Sequence, residues 1–407
     1  MAGTAVVVGG GPGGLMAAEV LATAGWAVTV YERMPSVGRK LLLAGRGGLN
    51  LTHSEPIEAF LNRYGTARPT LEAAIRSFGP DDLRAWCEGL GEDTFVGTSG
   101  RVFPTALRAT SLLRAWLARL DELGVVIRTR HSWTGWDAAG RLTFIAGDGA
   151  EVLAAADVTV LALGGASWPS VGSDGAWTAP VAAADIGLAP LRPANSGFRV
   201  TWSEVFRNRF AGKPVKNVGV TVAGESVRGE LMITDSGIEG GAVYAVSSRL
   251  RDAIEAHGPT EIYLDLRPDV AVAELTVRLA ARRAGETAAS LLRRAGGLPA
   301  VAAGLLREAT GNRLPTPAED LAARIKRAPI TVLGPESIDR AISTAGGVLL
   351  DEVDATFMVR RRPGTFVVGE MLDWEAPTGG YLLQACFSTA MAAARGAVNW
   401  AGAAPPS

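Results

Sequence analysis

A chain of 407 residues with 48% hydrophobic and 20% charged side chains is long enough for two or three domains with sizeable cores, which excludes a fibrous or disordered protein. A formal net charge of −1 gives no long-range pull toward nucleic acid or an anionic membrane, and 2 cysteines without a C-x-x-C motif exclude a disulfide framework. No basic leader with an apolar core opens the chain and no run of about 18 apolar residues interrupts it, so a cytoplasmic, non-membrane protein is expected.

The first element is a valine-rich strand, residues 5–8, feeding the loop Gly9-Gly10-Gly11-Pro12-Gly13-Gly14 and a helix expected over 12–24. A second buried strand is expected over 27–31, with Glu32 directly behind it. Gly9 permits the tight turn, Gly11 lets the backbone approach a pyrophosphate, and Gly14 lets the helix pack close to the strand. The helix N-terminus offers unpaired N–H groups and partial positive charge, and Glu32 stands where a carboxylate accepts ribose hydroxyls. Strand, loop, helix, second strand and acid together describe a dinucleotide cradle.

Farther along, an amphipathic helix is expected over 107–123 and a strand over 125–128. Short strands around 134–136, 142–145 and 151–153 have hairpin punctuation and form a small antiparallel side sheet, after which 157–163 returns to the parallel sheet. From about residue 189 the pattern changes to short strands at 198–202, 218–222 and 230–233. An alanine-, leucine- and arginine-rich helical stretch follows over 271–326. Gly364 to Asp373 then reads as a strand ending in a glycine and the acid Glu370, and Pro377-Thr378-Gly379-Gly380-Tyr381 leads into a last helix over 382–400.

Those segments carry a resemblance. With Arg101-Val102-Phe103-Pro104, Leu163-Gly164-Gly165-Ala166-Ser167-Trp168-Pro169 and Gly229-Glu230-Leu231-Met232-Ile233-Thr234, they resemble, in order and over essentially the whole chain, the aminoacetone-oxidase-like or BaiN-type family of FAD-dependent oxidoreductases. One departure marks a divergent subgroup: Gly45-Arg46-Gly47-Gly48-Leu49-Asn50 stands where much of that family has Gly-Gly-Gly-Arg-Cys-Asn. The resemblance implies an α/β fold, a doubly wound Rossmann-type FAD-binding domain split by an inserted β-barrel-like plus helical domain. The first part would run over 1–188, the insertion over 189–343 (β part about 189–265 and 328–343, helical part about 266–327), and the second part over 344–407. Substrate is then expected between the domains, beside the flavin ring.

Motif and resemblance together assign Gly9, Gly11, Gly13 and Gly14 to the pyrophosphate and Glu32 to the adenosine ribose. They assign Arg39 and Lys40 to neighbouring phosphate or ribose oxygens, Val126 to adenine through its backbone, and Gly369 with Glu370 to the ribityl end. Gly164 and Gly165 close another strand beside a noncovalent FAD, Asn50 and Arg46 lie in a loop running past it, and Gly380 and Gln384 approach the ring. For chemistry the candidates are His53 as acid or base, Tyr381 as proton donor or packing ring, and Arg101 as a substrate or phosphate contact. No metal is expected, because the three histidines lack carboxylates at ligand spacing. Cys386 reads as a core residue.

The activity expected is hydride transfer between a small organic substrate and flavin, with NAD(P)H or O2 completing the cycle. No second glycine-loop unit is evident, so NAD(P)H would bind transiently as co-substrate, and the protein would be a monomer or homodimer. The alternatives are a non-catalytic FAD-binding redox-sensing or interaction protein and a flavin-dependent RNA-modifying enzyme. The balanced charge and missing basic aromatic stripe weigh against RNA.

Overall fold

A computed structural model describes residues 3–403 and divides the chain into two compact units, residues 1–192 with 343–407, and residues 193–342. The first unit is built on a five-stranded parallel sheet ordered Thr365–Val367, Val158–Leu161, Thr4–Val8, Ala27–Glu32, Val126–Thr129. The central strands Thr4–Val8 and Val158–Leu161 are short valine-rich runs because both their faces are covered, whereas the edge strand Val126–Thr129 alternates exposed and half-buried residues. From Thr4–Val8 the chain builds outward to one side, then returns through Val158–Leu161 to the other. The order therefore reverses between those two strands, and the crevice at their carboxyl ends is where such sheets hold ligands.

The helix Pro12–Thr23 opens with proline in its first turn, where a missing N–H costs nothing, after an extended Gly11. It packs against the long C-terminal helix Tyr381–Ala403. Its Glu19 is a buried acid that the sequence pattern does not announce. The carboxylate accepts from Trp116 Nε1 at 2.6 Å, from Trp86 Nε1 at 3.2 Å and from Arg119 Nη1 at 3.1 Å. Glu19→Leu would strand two indole N–H groups, so we expect a loss of about 2 kcal/mol in chemical denaturation followed by tryptophan fluorescence. An unchanged midpoint would show that the indoles find other partners.

The side sheet forms from His131–Trp136, Leu142–Ala146 and Glu151–Ala154, all antiparallel. A second three-stranded sheet, Thr52–His53 with Arg101–Pro104 and Thr94–Val96, has strands too short to leave a periodic signal. The expected strand ending in Glu370 is corrected: the strand stops at Val367, and Gly369–Met371 is a 3₁₀ turn that lifts the acid off the sheet.

The second unit holds a seven-stranded antiparallel sheet whose two edges, Ala328–Val332 and Gly334–Pro335, are consecutive in the chain. One segment thus supplies both borders and the sheet curls back on itself. Helices Val272–Ala280, Ala288–Arg294, Ala300–Ala309 and Ala318–Lys326 share a core with it. Among the described residues no helix is long and apolar enough to cross a membrane.

Candidate dinucleotide site

Backbone geometry at the glycine loop is fixed by contact. Gly9 adopts φ +105, and a Cβ on Gly14 would lie 1.9 Å from the Gly9 carbonyl oxygen, so neither position tolerates a side chain. A Cβ on Gly11 would meet nothing within 4 Å, which leaves its backbone facing open space at the start of the helix. Glu32 braces the loop, accepting from Gly10 N at 2.8 Å and from Met34 N at 2.7 Å. Burial raises the Glu32 pKa against the lowering effect of these two hydrogen bonds.

One cavity collects Gly9, Gly11, Gly13, Glu32, Arg39 and Lys40 from the amino-terminal part of the fold. It also collects Gly164, Gly369 and Glu370 from more than a hundred residues away. Lys40 Nζ donates to Glu370 Oε2 at 2.7 Å and to Ser167 Oγ at 2.6 Å, while Glu370 Oε1 accepts from Thr344 N at 3.0 Å. An ion pair between Arg33 and Asp174, both on the cavity lining, ties the end of strand Ala27–Glu32 to the loop after Gly172. Among the described residues, four buried polar atoms on this lining have no partner in the protein: Arg39 Nε, Ser173 Oγ and the indole Nε1 atoms of Trp133 and Trp177. A glycine loop open toward a helix N-terminus, a braced carboxylate and unsatisfied donors suit the phosphate and hydroxyl groups of a dinucleotide.

Other expected residues lie elsewhere. Gly14 packs beneath Gly9, and Gly165 stands against Thr344, whose Oγ1 would be 2.2 Å from an added Cβ. With its amide oriented to suit its neighbours, Asn50 accepts from Gly380 N at 3.1 Å and donates to Thr52 O at 3.0 Å, tying the glycine-rich loop to the start of the last helix. The side chain of Arg46 lies outside the described residues.

One expectation is corrected. Val126 opens its strand, half exposed and paired with Thr29 rather than at the carboxyl end where Glu32 pairs with Thr129. The residues that do reach the cavity there are His131, Ser132 and Trp133, just beyond that strand. Their signal was available in the rule that parallel sheets bind at strand carboxyl ends. Gln384 is fully buried, its Nε2 donating to Phe78 O at 2.9 Å and Ser388 Oγ at 3.2 Å, while its buried Oε1 has no partner in the protein.

His53, Tyr381 and Arg101 form a separate group off the cavity lining. The Tyr381 hydroxyl donates to Glu55 Oε1 at 2.6 Å, and its ring stacks on His53 with centroids 5.5 Å apart. Arg63 grips Glu55 with two bonds of 3.0 and 2.8 Å. These bonds hold the Glu55 carboxyl below its ordinary range, while burial pushes the Tyr381 phenol up, so the proton stays on the tyrosine. His53 Nδ1 accepts from Glu55 N at 3.1 Å and Nε2 stands 3.0 Å from Ser99 O, a pattern satisfied by the neutral ring with its proton on Nε2. Arg101 is exposed on the neighbouring strand, in register with His53. Cys386 lines the cavity, but burial raises its thiol to about 12, leaving it protonated. Among the described residues no cluster of three or more histidine, cysteine or carboxylate side chains suits a metal.

Comparison with known proteins agrees with this geometry. The model of the HI0933-like protein Rossmann domain matches residues 3–396. A 3-dehydro-bile acid delta(4,6)-reductase of Clostridium scindens is 27% identical over 97% of this chain and 98% of its own length. A ribosomal RNA dihydrouridine synthase of Haemophilus influenzae is 24% identical, over 96% and 97% respectively. The fold is shared with the 3-ketosteroid delta1-dehydrogenase of Sterolibacterium denitrificans, TM-score 0.53 at 14% identity, covering 97% of this chain and 99% of that one. With the glycine cradle and the match running almost end to end, the chain belongs to the HI0933-like Rossmann family of FAD-dependent oxidoreductases.

Proposed function

We propose that this protein holds FAD noncovalently in the cavity and transfers a hydride between a small organic substrate and the flavin, in the direction that reduces a conjugated enone at the expense of NAD(P)H. The observation that carries the reading is the cavity itself, where the open Gly11 loop, Glu32 and the partnerless Arg39 Nε and Ser173 Oγ face one space. When bound, the flavin supplies a two-electron hydride acceptor and donor.

The chain's own part is binding and orientation. Gly9, Gly11 and Gly13 with the helix N-terminus hold the pyrophosphate, and Glu32 accepts from the adenosine ribose. Arg39 contacts phosphate, while Lys40, Gly369 and Glu370 hold the ribityl hydroxyls. Asn50 and Gly380 fix the two backbone segments expected beside the ring. Tyr381 and His53, off the cavity lining, are locked by Glu55 and Ser99 and support the Gly380 segment, whereas Arg101 remains exposed to receive an anionic substrate group. A small-molecule substrate and a monomer or homodimer complete the reading.

The enone direction is favoured by the bile acid reductase relative. A second reading, uridine reduction in RNA, has one relative in its favour and the balanced charge against it. Anaerobic stopped-flow separates them. NADH or NADPH is expected to bleach the flavin band, and a 3-keto-4-ene steroid to restore it faster than a ribosomal RNA transcript does. Bleaching by neither nucleotide, with reduction by an amine or alcohol instead and rapid reoxidation when O2 is admitted, would reverse the proposed direction and make the protein an oxidase.

A further inference from the structure

The second unit contains a cavity of about 670 Å³ whose lining, among the described residues, comes from that unit and shares none with the dinucleotide site. Its floor is apolar: Phe206 and Phe210 from helix Glu204–Phe210 lie against Leu298 and Ala303. Gly304 brings the rings onto the backbone of helix Ala300–Ala309, since a Cβ there would sit 2.6 Å from Phe210 Cε2 and 2.9 Å from Phe206 Cε2. At the mouth, Val205 is 77% exposed, an apolar side chain in water with nothing yet packed on it.

The rim is cationic. Arg209, Arg293 and Arg307 line the cavity, and no carboxylate among the described residues pairs with Arg209 or Arg293. Among the described lining residues the one acid, Glu308, is spent on Ser203, accepting from its N at 2.8 Å and its Oγ at 2.7 Å. Arg307 donates to the Asn312 amide oxygen at 2.8 Å, a neutral partner that leaves its charge uncompensated. Helix Ala300–Ala309 begins at this cavity after Pro299 with no capping side chain, adding partial positive charge. Three guanidiniums against one committed carboxylate, in a chain whose net charge is −1, is a local excess and not an average of the composition.

We infer that this cavity binds a small amphipathic anion, with a hydrophobic body on Phe206 and Phe210 and a carboxylate or sulfate head on Arg209 and Arg293. The volume falls in the range of small-ligand sites, and a guanidinium fork matches a carboxylate through two parallel N–H···O bonds. Arg209 lies over the Phe210 ring, 5.2 Å from its centroid, so head and body sites adjoin; an uncharged ligand would leave the guanidiniums without an anionic partner, and an inorganic anion would leave the rings unused.

Octanoate titrated calorimetrically into the full chain as purified tests this, with 1-octanol as the uncharged counterpart. One octanoate per chain is expected, with a dissociation constant on the order of 0.1 mM and octanol at least about tenfold weaker. Arg209→Gln with Arg293→Gln should remove that preference. Ala289→Trp, at an exposed lining position, should fill the mouth and abolish binding of both ligands. The flavin absorbance band should not move in either titration. Equal affinity for octanol, no saturable binding, or binding that persists in Ala289→Trp would overturn the inference, whatever the outcome at the flavin.

Discussion

Glu32→Ala is expected to hold FAD about 100-fold more weakly than the parent chain while folding nearly as stably. A hydrogen bond to a charged group contributes about 1.5–3 kcal/mol, and 1.4 kcal/mol is tenfold in affinity, so losing the ribose contacts and the brace on Gly10 accounts for that factor. Stability changes little because the raised pKa of Glu32 means that folding disfavours its charged form. Removing a buried carboxylate relieves that desolvation and offsets the two lost N–H bonds. The sign sets a pH dependence too. A folded-state pKa above 4.5 makes the empty protein's Glu32 contribution most favourable in acid and lost as pH rises through it, whereas ribose binding needs the carboxylate. Flavin release on acidification should therefore begin above pH 4.5, earlier than an ordinary glutamate would allow. Equilibrium dialysis against FAD across pH reads both effects; parent-like affinity in the variant would remove Glu32 from the site.

Lys40→Met should destabilise the first unit by about 3 kcal/mol and release flavin as well. The Glu370 side chain is only 14% exposed, and Lys40 is the cation on one of its oxygens. Deleting the partner leaves a largely buried charge uncompensated, the situation in which half an ion pair is worse than none. Glu370→Gln in the same background should recover much of the loss, because no charge then remains to strand. Denaturant unfolding of the four proteins in this cycle measures the coupling, expected at about 1–2 kcal/mol. Additive losses would mean that the two side chains stabilise the fold independently.

What was legible in the sequence was local. The glycine loop, its flanking strands and Glu32 lie within thirty residues, and each turn, cap and apolar run there constrains the next, so the cradle was readable before any contact was known. The side sheet was legible for the same reason, through its hairpins. What the sequence did not show depended on distance in the chain. The acceptor of the Gln384 amide N–H, Phe78 O, lies 306 positions away. The acceptor of the Tyr381 hydroxyl, Glu55, lies 326 positions away. Val126 was placed on the right strand but at the wrong end, since a short apolar run does not show where its pairing with a neighbour begins. His131 to Trp133 follow from that error, and Ser173 lies in a loop without any motif.

The most direct measurement is the flavin carried by the purified chain, released by heat and identified chromatographically, beside the same assay on Glu32→Ala and Glu370→Ala. One FAD per parent chain, freed without proteolysis and largely missing from both variants, is the predicted result. FMN in its place, flavin that stays attached after denaturation, or equal FAD content in all three proteins would contradict a noncovalent dinucleotide held by these two carboxylates.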